Sequence, residues 1–344
     1  MTQQTSKYDD NQEDSGQDHD PSTILEHAGS GCQNVVIHVG KHKVASTYMQ
    51  HLIFPQLTKY YCTKTGVMRW LTKQPFIPAN FREKVYNNYF DKSRRGTSPG
   101  RDDLLLISRE GLSSSPDLNR VDKYAESLSK AYPQARVLIC IREQYDLMVT
   151  LFFWHTAKRR MTLNLPKYAD WVMDYAPQFL LHHEAVDAYV KWFGKDRVTV
   201  MPYELNRLSK DNFIHKVAEW ISPEVKISIP DYRMNVSFKT AAVLRSYILV
   251  NHSLLRVMAY FMPSMTRILP SGIAQHYRHF VSKFSKQNLA PFINRIFPGS
   301  QKIEPGEEIR RKWDATFADS NSRIEEALGI SLAEFGYVTT EKTN

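Results

Sequence analysis

The first thirty residues are polar, with one short apolar pair at Ile24–Leu25, and read as a disordered tail because they cannot bury enough surface to order. From Asn34 the pattern changes. Val35–Val39 is a short β-branched run ending in Gly40 and suits a buried strand, and a short helix is expected from Ser46 to near Pro55. Leu104–Ser108 is a second buried-strand run, followed by a loop over Ser113–Asn119 and an amphipathic helix over Val121–Tyr132. Arg136–Ile141 predicts a third strand, and Glu143 to about Arg160 a helix with Leu147, Thr150, Leu151 and Trp154 on one side. Helices near Tyr168–Tyr175 and His182–Phe193, a strand over Val198–Tyr203 and a helix over Asp211–Ile221 follow. Past Arg233 the pattern turns helical and aromatic, with a last long helix over Glu307–Leu328.

Short strands alternating with helices predict βαβ units. The expected fold is therefore α/β: a doubly wound, mainly parallel sheet flanked by helices, with a helical C-terminal part. A chain of 344 residues, 42% hydrophobic and 24% charged, has ample material for a core. It is read as an acidic tail (1–30) and a single domain (31–344). Cys32, Cys62 and Cys140 show no CxxC spacing, which argues against a disulfide scaffold or a zinc site and fits a reducing compartment. No apolar run reaches the roughly 20 residues of a membrane span, and the N-terminus lacks the apolar core of a signal peptide, so a cytoplasmic protein is expected.

Charge sharpens this picture. The tail holds seven acids and one base, whereas 232–303 holds ten Lys or Arg and no Asp or Glu. Such a basic field draws anionic partners. The bases of 232–303 are interleaved with aromatics such as Tyr247, Tyr260, Phe284 and Phe292. That segment is either ordinary helices with basic outer faces or a wall for an anionic acceptor, with contact at the inner membrane surface as a further use.

Two stretches carry candidate chemistry. In Val35-Val-Ile-His-Val-Gly40-Lys41-His42-Lys43-Val44-Ala45-Ser46-Thr47 a strand runs through a tight loop into a helix start. Amides at such a junction bind anions, and a loop lysine adds a mobile charge. It is not a Walker A loop, since Ala45-Ser46 stands where Gly-Lys is needed. The plain alternative is a βα turn with solvated lysines. The second stretch ends the third strand at Arg142 and places Thr150 eight residues on. An arginine at that edge of an open α/β sheet offers a fork to phosphate, although it could equally pair with an Asp or cap a carbonyl. Glu110, in Ser108-Arg109-Glu110-Gly111, is a candidate general base; pairing with a nearby cation is the competing account. His42 and the His182–His183 pair compete for the same role, although histidines at a helix start are more often caps or surface residues. Arg310, Arg311 and Lys312 read as a solvated helix face.

Together the two stretches resemble the sulfotransferases that use 3′-phosphoadenosine 5′-phosphosulfate (PAPS). His38, Gly40, Lys43, Thr47 and Gln50 match that family's 5′-phosphosulfate loop, with Ser46 a conservative change, and Arg142 with Thr150 matches its 3′-phosphate motif. Ser108-Arg109-Glu110 is similar to a segment of the carbohydrate sulfotransferases, and Trp192 to Leu205 to a later strand of the family. Val44 and Ala45 depart from it, standing where a threonine and a glycine are usual, and leave room for an inactive relative.

The resemblance implies a P-loop-like sulfotransferase fold and transfer of a sulfuryl group from PAPS to a hydroxyl of a carbohydrate-like acceptor, and the basic segment leans toward an anionic one. Lys43 would be the catalytic cation and Glu110 the base. Lys43, Val44, Ala45, Ser46, Thr47 and Tyr48 would hold the 5′-phosphosulfate, and Arg142 and Thr150 the 3′-phosphate. No metal and no nucleic-acid partner is expected. The alternatives from other classes are a small P-loop-like kinase and a non-catalytic module that binds acidic glycan or membrane.

Overall fold

All six residues of strand β1 (Val35–Gly40) are buried, which requires cover on both faces of its sheet. In the computed structural model, which describes residues 34–58, 60–62, 103–113, 118–159, 164–209, 211–230, 295 and 304–340, β1 is the centre of a five-stranded parallel sheet. The order is β2-β3-β1-β4-β5, with β2 Tyr60–Cys62, β3 Leu105–Ser108, β4 Arg136–Ile141 and β5 Val198–Pro202. The chain leaves β1 toward β2 on one side, and leaves β4 toward β5 on the other. The two connections part between β1 and β4, and the crevice beyond the carboxyl ends of those strands is the switch point where open α/β sheets bind ligands.

The two-residue period of the strands sorts the core. Val35, Ile37 and Val39 face α3 (Leu118–Ala131) and α6 (His183–Phe193), in one cluster with Ile139, Val200 and Tyr189. Val36, Leu106, Leu138 and Cys140 face the opposite layer, made by the helical segment after β1 and by α7 (Asn212–Ile221). A third cluster joins α4 (Gln144–Arg159), α5 (Leu165–Tyr175) and the first half of α8 (Glu307–Leu328) around Tyr145, Tyr168 and Phe317. The expected doubly wound architecture is present, and α8 is the described portion of the helical C-terminal part.

The four expected strands occur within one residue at each end. Strand β2 was not expected: three residues are too few to show a period. The helix after β1 does not stop at Pro55. It runs as α1 (Ser46–Tyr48), a π-helical stretch (Met49–Ile53) and α2 (Phe54–Leu57), so Pro55 falls in the first turn of α2, where its missing N–H is harmless. Helix α5 begins three residues before expectation because Asn164 Oδ1 accepts from the Lys167 amide and Pro166 occupies the first turn. The expected acidic tail (1–30) and the basic segment 232–303, Arg295 excepted, lie outside the described residues. Among the described residues no helix is long and apolar enough to cross a membrane.

Candidate functional site

The loop between β1 and α1 is bent by two non-glycine residues in the left-handed region, Lys43 (φ 66°) and Ala45 (φ 60°). Strain of this kind persists only where surrounding contacts impose it. Here Val44 is fully buried against the α7 layer and anchors the loop from below. Gly40 is required by space: a β-carbon there would stand 2.3 Å from Ser46 Oγ. The Ser46 hydroxyl is buried under the loop and has no hydrogen-bond partner. Thr47 is half-buried, and the Tyr48 hydroxyl donates to Pro230 O (3.0 Å), leaving the Tyr48 backbone as its group nearer the loop.

Three side chains at the carboxyl ends of three adjacent strands converge on this loop. Arg142, just past β4, donates from Nη1 to Lys43 O (3.2 Å), and its guanidinium lies 5.1 Å from the centre of the Tyr203 ring. Arg142 Nε is buried without a hydrogen-bond partner. Lys43 Nζ lies 5.0 Å from the centre of the Trp154 ring on α4. Glu110, two residues past β3, contacts His42 Nδ1 through Oε2 (3.3 Å). Burial works to raise the Glu110 carboxyl, but the hydrogen bond from His42 and the charges of His42 and Lys43 outweigh it and hold it below its ordinary range. The competing candidates Glu110 and His42 are thus one pair, poised near Lys43.

The peptide joining Arg142 to Glu143 is clamped from both sides. His182 Nε2 donates to Arg142 O (2.7 Å), and Glu143 N donates to Glu204 Oε1 (3.1 Å). Glu204 is held by the Tyr337 hydroxyl at 2.6 Å, while Glu143 caps α4 by accepting from the amides of Tyr145 and Asp146. Burial pushes both carboxyls up and holds the fully buried His182 down to about 3, so this imidazole stays neutral and serves as a fixed donor. Its other ring nitrogen, Nδ1, is buried without a hydrogen-bond partner. His183 turns to α8, where Nδ1 meets Ser320 Oγ at 2.8 Å. The remaining candidate, Thr150, is buried on α4 and donates to Asp146 O (2.7 Å), as a helical threonine commonly does.

Sequence reasoning missed Lys41, Glu204 as a clamp and Tyr337. The basic run on α8 is spent elsewhere: Arg310 lies against the Tyr145 ring, Arg311 pairs with Glu307, and Lys312 with Asp170. Among the described residues no group of three His, Cys, Asp or Glu is placed to hold a metal ion.

The geometry defines a class: an open parallel α/β protein with a strained strand-to-helix loop and an arginine bonded to it at the switch point of the sheet. No family model and no curated protein matches the chain. Among solved structures it is similar to a sulfotransferase from Alicyclobacillus acidocaldarius, at 13% identity over 89% of this chain and 99% of that one, with a TM-score of 0.48. It is also similar to mouse sulfotransferase SULT7A1 complexed with PAP, at 9% identity over 60% of this chain and 65% of that one, with a TM-score of 0.34.

Proposed function

We propose that the chain transfers a sulfuryl group from PAPS to a hydroxyl of a carbohydrate-like acceptor by in-line displacement. The observation that carries this reading is the bond from Arg142 Nη1 to Lys43 O across the switch point, which joins the two stretches that a donor with phosphates at both ends would need. The buried, unpaired Ser46 Oγ and Arg142 Nε support it, because a buried donor left unsatisfied costs about 1–3 kcal/mol unless a ligand takes it up.

The amides of Val44 to Tyr48, with the hydroxyls of Ser46 and Thr47, would hold the 5′-phosphate. Arg142 would fork onto the 3′-phosphate. Thr150 would join it by turning its proton away from Asp146 O. As the acceptor oxygen bonds to sulfur and the sulfur–oxygen bond to the 5′-phosphate breaks, Lys43 would neutralise charge on the departing oxygen. The acceptor's proton would pass to the Glu110–His42 pair. The ten bases of 232–303 support an anionic acceptor.

The test is calorimetric titration with 3′-phosphoadenosine 5′-phosphate beside ATP and 5′-AMP. Preference for the bisphosphate, erased in Arg142→Ala, supports the reading, and labelled PAPS should then show Lys43→Ala folded but at least about 100-fold slower in transfer. Equal affinity for all three nucleotides would move the function to a kinase-like transfer. No nucleotide binding, with salt-dependent binding to heparin or anionic vesicles, would leave a non-catalytic module.

A further inference from the structure

The residue between Gly40 and His42 is a lysine with no exposed surface. Lys41 is fully buried, and its Nζ donates to Ser113 O (2.9 Å) and Gln178 O (2.7 Å). A buried ammonium is costly and is kept where it is fully hydrogen-bonded. Burial pushes it down to about 7, against the pull of Glu184. Nothing in the proposed transfer uses this group, since Lys43 carries the charge at the loop.

What Lys41 touches gives it a use. Ser113 closes the turn that begins at Glu110: its amide donates to Glu110 O (3.3 Å), and its hydroxyl lies within bonding distance of Glu110 O (3.1 Å) and Gly40 O (3.0 Å). Gln178 lies in the 3₁₀ turn Pro177–Phe179, whose Phe179 ring meets the His42 ring edge-on at 5.3 Å between centroids. One buried ammonium therefore ties the turn that carries Glu110 and the turn that backs His42 to the root of the loop between them. Its backbone amide is itself fixed to Cys140 O at 2.9 Å.

We propose that Lys41 is a positioning residue that holds the Glu110–His42 pair together through the carbonyls of Ser113 and Gln178. The inference rests on the proposed transfer for its catalytic consequence, but not for its structural one. In Lys41→Met the two carbonyls lose their shared donor and the two turns are free to separate. Removal of the buried charge offsets part of the cost of the two carbonyls left without that donor.

The experiment takes three readouts on full-length wild type and Lys41→Met. They are the Glu110 carboxyl titration by carbon NMR (assigned with Glu110→Gln), the calorimetric Kd of 3′-phosphoadenosine 5′-phosphate, and the transfer rate from labelled PAPS. The expected result is a Glu110 carboxyl that titrates higher in the variant, a Kd changed by less than about 3-fold, and a kcat lower by about 10–100-fold, the scale of a misplaced catalytic group. An unchanged carboxyl titration would overturn the proposal, as would a loss confined to Kd. If wild type neither binds the bisphosphate nor transfers sulfate while the carboxyl still moves in Lys41→Met, the transfer reading fails and the positioning role stands. Should Lys41→Met not fold, Phe179→Ala cuts the same path at a half-buried position; a Glu110 titration unmoved there refutes it.

Discussion

Gly40→Ala is the substitution whose effect follows most directly from the geometry. The added β-carbon would lie 2.3 Å from Ser46 Oγ, 3.3 Å from His38 Cε1 and 3.4 Å from Val44 Cγ2. Carbon and oxygen do not approach within 3.0 Å, so Ser46 Oγ must retreat by at least about 0.7 Å. His38 and Val44 leave little room, because both are fully buried. Overpacking of this kind costs about 1–3 kcal/mol. A displacement approaching 1 Å at a group that holds a reacting phosphate costs up to about 100-fold in rate. Ser46→Ala removes the oxygen that clashes. It also removes a buried hydroxyl without a partner, so alone it should leave stability equal to wild type or higher by up to about 1 kcal/mol while weakening nucleotide binding. In the double variant the two changes should couple favourably by about 1–2 kcal/mol. The assay is a denaturation cycle over the four proteins, with calorimetric binding of 3′-phosphoadenosine 5′-phosphate on each. Additive stabilities, or a Gly40→Ala protein that binds the nucleotide as wild type does, would refute the claim that Gly40 exists to admit the Ser46 hydroxyl.

Other consequences are open to measurement. Tyr337→Phe removes the donor to Glu204 Oε2 and should cost about 1–3 kcal/mol in denaturant unfolding; through the slackened Arg142–Glu143 peptide it should also weaken bisphosphate binding several-fold, an effect that a purely local loss would not produce. Burial holds His38 down to about 4 and His182 down to about 3, against 6.5 for the free side chain. Below pH 6.5 the unfolded chain therefore takes up protons that the folded chain refuses, so the stability these residues contribute is complete above pH 6.5 and lost as pH falls toward 4. His38 should account for a few kcal/mol of that loss, read as the difference in unfolding free energy between wild type and His38→Asn across pH 4–7. A parallel pH dependence in the two proteins would show that His38 protonates in the folded state as readily as in the unfolded one.

The layered α/β architecture, the strand at each of four positions and the two stretches at strand ends were legible in the sequence, because each is written in a local signal. A buried parallel strand is a continuous apolar run, and the loop lysine and strand-end arginine stand beside the runs that place them. The same local reading weighed His182 as a base against the commoner cap or surface histidine, offered solvent as the alternative place for the loop lysines, Lys41 among them, and gave Glu204 and Tyr337 no role. Nothing in their neighbours along the chain says otherwise. What they do depends on partners brought near by the sheet: His182 meets Arg142 across 40 positions, Glu204 meets Glu143 across 61, and Tyr337 meets Glu204 across 133. Whether Lys41 faces water or the interior is decided by the turns over it, which come from 72 and 137 residues further on. Period and composition determine which segments enter the core, because burial follows from local pattern. Which polar groups are buried with them, and in whose company, is decided only when the layers close, because the cost of an unpaired buried charge depends on every element that packs against it.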